Sequence, residues 1–368
     1  GARVLGGAIV YRLYDVGYEI HLDRALDLLA SRAPERVRPV RGEAQAIQIK
    51  NPPVTVILGN ENVVIGTRRV DGEVSARIFD FGVVSLRFRV NAPAGVTWMA
   101  YADFGNAVDV GVDLGPLFEQ HLRLLLDRIA PAIERQAVAP VTEDYVVFRI
   151  TRLTDAAGRM LPTEVLRDEE VAPLLLNERR PLSTAARREL LPNRFSYYSD
   201  DLAILTWDNA LIVEPAEDDT DVQYILEFAN AQLLELRVYD AALDAELPRM
   251  YARVAAARGS PLARLGRGYA AVLSDLQTLV ADSTELVERV ENSLKVTDDV
   301  YLARVYSAAL DIFRGRVWRT GIDRKLAIIR ETYAMLNGEA QASRAEALEI
   351  AIVLLIVAEL LMAWFARG

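Results

Sequence analysis

A set of polar side chains in one helical stretch, residues 221–247, gives the clearest signal for recognition chemistry. The stretch has the apolar spacing of a helix, yet amide, carboxylate, guanidinium and phenol groups stand where an amphipathic helix does not need them. Such groups on neighbouring turns can form a hydrogen-bonded network at an interface with another copy or a partner. The alternative interpretation is that the charged residues simply face solvent. The candidate interface residues are Asn230, Glu235, Arg237, Tyr239 and Asp240.

The sequence contains few residues suited to metal, cofactor or covalent chemistry. Its 368 residues include 2 His and 0 Cys, which excludes thiolate nucleophiles, disulfides and zinc–thiolate sites. His21 and His121 lie far apart, and no HExxH, P-loop or GxSxG motif is present. We therefore predict no catalytic site, no metal site and no cofactor. An acidic group before the helical stretch either binds a hard cation or is a solvated helix start. It consists of Glu214, Glu217, Asp218, Asp219 and Asp221.

The C-terminal residues 347–366 read ALEIAIVLLIVAELLMAWFA and are apolar around the whole helical circumference. A helix of this length reaches roughly 30 Å, the thickness of a bilayer core, which predicts a C-terminal transmembrane helix. Within it we single out Glu349 and Glu359 for packing the segment and Trp364 as an interfacial anchor. Glu359 either lines an oligomeric bundle, and even an ion path, or sits near the headgroups or protonated.

The charge balance bears on the partners. A net charge of -10 argues against a broad nucleic-acid-binding surface. Basic residues at 314–330, interleaved with Phe313 and Trp318, either meet anionic lipid or RNA or belong to a salt-bridged stalk. The partners we expect are membrane lipid, further copies of the chain in a homo-oligomer, and other proteins, with no direct contact to nucleic acid.

The elements that position these residues are of two kinds. Residues 1–215 alternate strand patterns with short helical segments, which predicts an α+β head, compatible with ferredoxin-like βαβ elements. Residues 216–346 have helical periodicity and predict a helical stalk or hairpin. Residues 347–368 complete the chain as the predicted transmembrane anchor.

Individual elements are predicted from local signals. Thr220 and Gln223 have capping-box spacing at the start of the long helix. Pro131 is expected to end or kink a helix over residues 117–135. Trp207 opens a tight turn between two short strands. Further strands are predicted at residues 7–20, 45–49, 54–58, 63–65, 74–79, 83–90 and 145–152, and further helices at residues 22–30, 262–296, 300–313 and from 322 onward.

Two motifs in the second part of the chain resemble one known family. The first is Asp221-Val-Gln223, Glu227, Ala229, Gln232-Leu-Leu-Glu-Leu-Arg237 and Tyr239-Asp240, and the second is Glu349 before an Ile/Val/Leu run ending at Glu359. Residues 202–361 thereby resemble the family named for being required for meiotic nuclear division, whose bacterial members are called YagE-like. The resemblance implies an α+β domain, a helical hairpin and a C-terminal membrane segment. It also implies a scaffolding or tethering role, since mitochondrial members are implicated in supporting translation at the inner membrane, and it implies no catalytic residues.

These observations predict a membrane-anchored oligomeric scaffold or tether that presents a soluble head at the bilayer. One alternative is an oligomeric ion channel or transporter with Glu359 in the membrane bundle. Another is a soluble enzyme of unknown reaction whose apolar tail is buried in protein. For localisation we expect a single C-terminal span with a cytoplasmic head, since no export signal is recognisable.

Overall fold

The architecture comes from a computed structural model, which describes residues 1–30, 35–36, 51–215, 220–259, 274, 277–278, 281 and 299–365. The strand predicted at residues 45–49, most of the helix predicted at residues 262–296 and the acidic residues 217–219 lie outside the described residues. The chain divides into two compact units. The first comprises Gly1–Val238 and Ser293–Arg316, and the second comprises Tyr239–Asn292 and Val317–Gly368.

The first unit is built on one large sheet. Its strands are β1 (Arg3–Asp15), β3 (Glu35–Arg36), β4 (Val54–Ile65), β5 (Arg68–Ile78), β6 (Val83–Asn91), β7 (Val96–Thr97), β9 (Thr142–Thr154), β10 (Arg194–Phe195), β11 (Leu202–Leu205) and β12 (Asn209–Val213), with β2 (Glu19–Ile20) and β8 (Ile133–Glu134) forming a separate pair. The order is β10-β11-β12-β9-β1-β6-β5-β4-β3, and β7 also pairs with β1. Among the described strands, β9 and β12 pair in parallel and the other pairs are antiparallel.

The helices fall between and after these strands. They are α1 (Leu22–Leu29), α2 (Trp98–Asp109), α3 (Gly115–Ile129), α4 (Asp168–Leu175), α5 (Thr184–Leu190), α6 (Asp221–Gly259), α7 (Val300–Ile312) and α8 (Gly315–Phe365), with 3-10 turns at Ala130–Ala132 and Thr163–Val165. The parallel strands β9 and β12 are joined by a long connection that contains α4 and α5 and then the strands β10 and β11.

Local signals explain where several elements begin and end. The capping box at the start of α6 is confirmed: the Gln223 backbone N–H donates to Thr220 Oγ1 at 3.3 Å, and the Thr220 N–H donates to Gln223 Oε1 at 3.0 Å. The predicted ending at Pro131 is also confirmed, because α3 stops at Ile129 and a 3-10 turn follows.

Two predicted strands form one strand in the structure. The runs at residues 54–58 and 63–65 are expected to be two strands, but they form the single strand β4. A register shift between Ile57 and Gly59 keeps β4 paired with β5 along its length. Gly59 has φ of 146°, a left-handed conformation that favours glycine, so the extra residue is accommodated as a bulge.

The two faces of the sheet are covered differently. On one face, an apolar cluster includes Phe88, Phe118 and Phe148 together with residues of α1, α2 and α3. The buried Tyr101 hydroxyl of α2 ties this layer to two strands, since it donates toward Gly7 O at 2.9 Å and Arg149 O at 3.0 Å. The first part of α6 and the segment around α7 lie on the other face, which also carries charged side chains.

The expected C-terminal transmembrane helix is wrong. The residues from 315 onward do form one helix, α8, of 51 residues. Within the described part of the chain, however, no helix combines the length and the apolar character needed to cross a membrane. The physical reason lies in the spacing of Glu349 and Glu359: residues 350–358 between them fall well short of the roughly 20 apolar residues that span a bilayer. The mixed α/β character of the predicted head agrees with the structure, and the large sheet is a feature that the structure adds.

Candidate functional site: charged residues between the sheet and the long helix

Two buried arginines lie on neighbouring strands of the sheet. Arg77 of β5 is paired across the strands with Ser85 of β6, and Arg87 of β6 is paired with Ser75 of β5. Each large guanidinium therefore has a small hydroxyl opposite it, which leaves room for both arginines on one face. Arg87 Nε donates to Ser75 Oγ at 3.2 Å. All four side chains are buried, so this face has a charged centre.

Glu227 of α6 supplies the opposite charge. Its side chain is 0% exposed, it accepts a hydrogen bond from Arg77 Nη1, and its Oε2 lies 4.0 Å from Arg87 Nη1. The Arg77 guanidinium also stacks over the Tyr224 ring at 5.2 Å from its centroid. Because burial strips these charges of water, their mutual attraction is strong and the loss of any one is costly. This cluster fixes the first part of α6 on the sheet.

The helix side of this cluster has spare hydrogen-bonding capacity. Glu227 Oε1, Gln223 Nε2 and the Tyr224 hydroxyl are buried and have no hydrogen-bond partner among the described residues. Gln223 and Glu227 are on successive turns of α6, and Tyr224 lies between them in sequence. Unsatisfied buried polar atoms are costly and usually bind an ordered water or an ion.

Three of the predicted interface residues lie close to this cluster along α6. Asn230 is buried and donates through Nδ2 to Leu226 O at 2.9 Å, within its own helix. Glu235 is also buried. Arg237 forms an ion pair with Glu143 of β9. Burial raises the pKa of Glu143, and Arg237 offsets only part of this increase. The contacts described for Asn230 and Arg237 are therefore made within one chain. A role of these residues in an interface between copies stays a prediction.

The other two predicted interface residues belong to the second unit. Tyr239 is half-buried. Asp240 and Asp244 of α6 both form ion pairs with Lys325 of α8. Lys325 Nζ lies 2.7 Å from Asp240 Oδ1 and 2.6 Å from Asp244 Oδ1. Burial opposes the charge on Lys325, but the hydrogen bonds to the two carboxylates raise its pKa. These ion pairs therefore connect two helices within the second unit.

The predicted membrane-segment residues Glu349, Glu359 and Trp364 all lie on the last part of α8. We call residues 348–364 the apolar segment. Its large side chains project into solvent around the helix, and Trp364 is 71% exposed. The exposed members are Leu348, Ile350, Ile352, Val353, Leu354, Leu355, Ile356, Val357, Leu360, Leu361, Met362 and Trp364.

A second polar cluster in the first unit combines aromatic rings with carboxylates. The rings of Tyr197 and Tyr198 meet edge to face at 4.8 Å, and the Tyr301 ring lies 5.6 Å from Tyr197. Asp201 Oδ1 accepts the backbone N–H groups of Tyr197 and Tyr198, at 2.8 and 3.0 Å. Asp299 caps α7 by accepting the Tyr301 N–H at 2.8 Å. We call these five residues the tyrosine–carboxylate patch.

Metal binding finds no support in the described ranges. There, no group of three or more His, Asp or Glu side chains has the arrangement of a metal site. His121 instead pairs with Glu61, at 2.9 Å between Nε2 and Oε1. Of the acidic group predicted as a possible cation site, only Glu214 and Asp221 are described, and burial raises the pKa of both.

The sequence alone does not single out Arg77 and Arg87 as site residues. Their alternation with apolar residues looks like the solvated face of a strand, because the helix that covers them lies far along the chain. One signal could have indicated burial: Ser-Ala-Arg at residues 75–77 and Ser-Leu-Arg at residues 85–87 repeat the same small–apolar–basic order in paired strands.

Comparison with known proteins gives a family but no activity. The family model described as "Uncharacterized protein MJ0711, N-terminal domain" matches residues 6–220. The uncharacterised protein MJ0711 of Methanocaldococcus jannaschii is 26% identical over 254 residues, which cover 68% of this chain and 74% of that protein. No solved structure matches the chain. Nothing in these matches bears on the resemblance to the YagE-like proteins, which stays a prediction. Because the matched model spans more than half of the sequence, the chain belongs to the MJ0711 N-terminal domain family.

Proposed function

We propose that the protein is an oligomeric scaffold whose copies associate through the apolar segment of α8. The observation that carries the proposal is the exposure of this segment: its large apolar side chains are between 46% and 71% exposed. Contiguous apolar surface of this kind marks a contact site in soluble proteins. Association would hold several N-terminal units together, so that weak contacts made by each unit add up.

The energy available supports copies of the chain as the occupant. Burying one large aliphatic side chain contributes about 1.5–3 kcal/mol, so covering a dozen half-exposed ones contributes on the order of 10 kcal/mol. That is comparable with the cost of bringing the chains together. The segment is also largely self-complementary in character, since it presents aliphatic side chains on every side, and Glu349 and Glu359 are its only charged residues.

The distribution of the exposed residues favours more than two copies. Ile352, Leu355 and Ile356 lie on one face of α8, whereas Leu354 and Leu361 lie on the opposite face. A single neighbouring helix covers one stripe, so a helix that is apolar around its circumference needs several neighbours. We therefore expect a helical bundle of at least about three copies.

The experiment is sedimentation velocity of the full chain across a wide concentration range, without detergent. We compare the wild type with a triple variant, Ile352→Gln, Leu355→Gln and Ile356→Gln, because glutamine keeps helix propensity while removing apolar surface. The wild type should sediment as an oligomer, and the variant should need at least about tenfold higher concentration to assemble.

The matched control places glutamine at Val317 and Met335, which are exposed apolar residues of α8 outside the apolar segment. This double variant should assemble like the wild type. A monomeric wild type contradicts the proposal. So does flotation of the wild type as a monomer with phosphatidylcholine vesicles, because lipid and not a second copy would then cover the segment.

A further inference from the structure

We propose that the tyrosine–carboxylate patch of the first unit, Tyr197, Tyr198, Asp201, Asp299 and Tyr301, is a docking surface for arginine side chains of a partner protein. The proposal concerns a surface other than the apolar segment and does not depend on assembly. It rests on three features of the patch: exposed rings, carboxylates held beside them, and the local balance of charge.

The rings are the first feature. Tyr197 is 65% exposed and Tyr198 is 66% exposed, although large aromatic side chains gain most from burial. They lie edge to face, so each leaves part of a ring face open to solvent. Exposed tyrosine is typical of the central residues of protein interfaces. Ring faces carry partial negative charge and attract cations, arginine above all.

The carboxylates are the second feature. Asp201 and Asp299 accept the backbone N–H groups of the three tyrosines, so each is fixed next to a ring. Glu214 is a third carboxylate close to Tyr301. Burial raises the pKa of Tyr301, and the charges of Asp201, Glu214 and Asp299 raise it further. A planar guanidinium can stack flat on a ring while its edge donates two hydrogen bonds to a neighbouring carboxylate, a geometry that an ammonium does not offer.

The charge balance is the third feature. Arg304 lowers the pKa of Tyr301, and its guanidinium lies over the Phe195 ring at 6.0 Å. The charge of Arg149 lowers the pKa of Glu214, although burial raises it more. Asp221 also raises the pKa of Glu214, so among the described groups that act on Tyr301 and Glu214 the carboxylates outnumber the guanidinium groups. This local excess of carboxylates favours arginine over an anionic or neutral ligand.

The test measures binding of a short fluorescein-labelled arginine-rich peptide to the full chain by fluorescence anisotropy. The reference peptide has citrulline in place of each arginine, which keeps the planar shape and removes the charge. The arginine peptide should bind, and the citrulline peptide should bind at least about tenfold more weakly.

Variants locate the site. Tyr197→Ala with Tyr198→Ala should weaken binding about tenfold, and Tyr197→Phe with Tyr198→Phe should preserve it, because the ring faces remain. Tyr251→Ala removes an exposed tyrosine of the second unit and should change nothing. Three results would overturn the proposal: equal binding of the two peptides, no effect of the alanine pair, or an equal loss in Tyr251→Ala.

Discussion

Glu227 shows how a buried charge can hold a helix to a sheet. It contacts Arg77 directly, lies 4.0 Å from Arg87 and is wholly buried. The desolvation of three charged groups is costly, so this cluster adds less net stability than an apolar core of equal size would. What the cluster does provide is a single position for α6, because the helix has one carboxylate that meets both guanidinium groups.

Removing that carboxylate should be strongly destabilising. We expect Glu227→Ala to lower the free energy of unfolding by about 3–5 kcal/mol, because two guanidinium groups stay buried without it. The measurement is the midpoint of denaturant unfolding.

The control for Glu227→Ala is an exposed ion pair. Arg179 lies 2.6 Å from Asp103, with side chains 68% and 55% exposed, so Arg179→Ala should cost less than about 1 kcal/mol. If Glu227→Ala costs no more than this control, the buried cluster does not anchor α6.

Asp109 makes the stability of the fold depend on pH. It ends α2, where the helix dipole disfavours negative charge, and burial followed by the charge of Asp208 raises its pKa to about 6. The unfolded chain has an ordinary Asp pKa of about 3.9, so the folded state binds the proton more tightly between these values. The free energy of unfolding therefore falls as the pH rises from about 4 to about 6, and above pH 6 the whole cost of burying the charged carboxylate applies.

Replacing Asp109 by Asn should remove that penalty. We expect Asp109→Asn to be more stable than the wild type by about 1 kcal/mol at pH 7.5, after allowance for solvent screening, and equal to it near pH 4. The amide oxygen can still accept from Asn209 Nδ2, now 3.3 Å from the carboxylate. Thermal unfolding over this pH range checks the difference. An identical gain at every pH, or a gain in the exposed control Asp71→Asn, would mean that the carboxyl of Asp109 is not the cause.

Among the elements, α6 has the best-defined beginning. Thr220 is buried and exchanges reciprocal hydrogen bonds with Gln223. Thr220→Ala removes the side-chain acceptor of the Gln223 N–H, and we expect a loss of about 1 kcal/mol. Urea unfolding measures it. Thr220→Ser keeps the acceptor and should stay within about 0.5 kcal/mol of the wild type. An equal loss in both variants would indicate a packing effect of the methyl group.

The helices were easier to predict from sequence than the sheet. The capping box, Pro131 and the Trp207 turn are local signals, and each marks the end of an observed element. The sheet depends on contacts between distant residues, such as Arg77 with Glu227. The pairing that places Arg77 and Arg87 on one face, and the covering of that face by α6, both depend on such contacts. The apolar segment has the length of a transmembrane helix, but Glu349 and Glu359 divide it.

At the scale of the whole molecule, the first unit is discontinuous in sequence. It consists of Gly1–Val238 and then Ser293–Arg316, with part of the second unit in between. The returning segment makes specific contacts: Tyr306 donates to Gln232, and the Phe313 ring lies 5.6 Å from that of Tyr145. The family model covers residues 6–220 and therefore ends before this segment.

The discontinuity sets the order of events during synthesis. Ribosomes release the chain from its N-terminus, so the sheet emerges well before α7, and Gln232 and Tyr145 must wait for their partners. Bringing the two parts of the first unit together costs entropy that grows only slowly with the length of chain between them, so the delay is one of time more than of energy. Until Arg316 has left the ribosome, the face of the sheet that α7 covers stays open to solvent. Nascent chains paused within residues 239–292 are therefore the ones most in need of a chaperone.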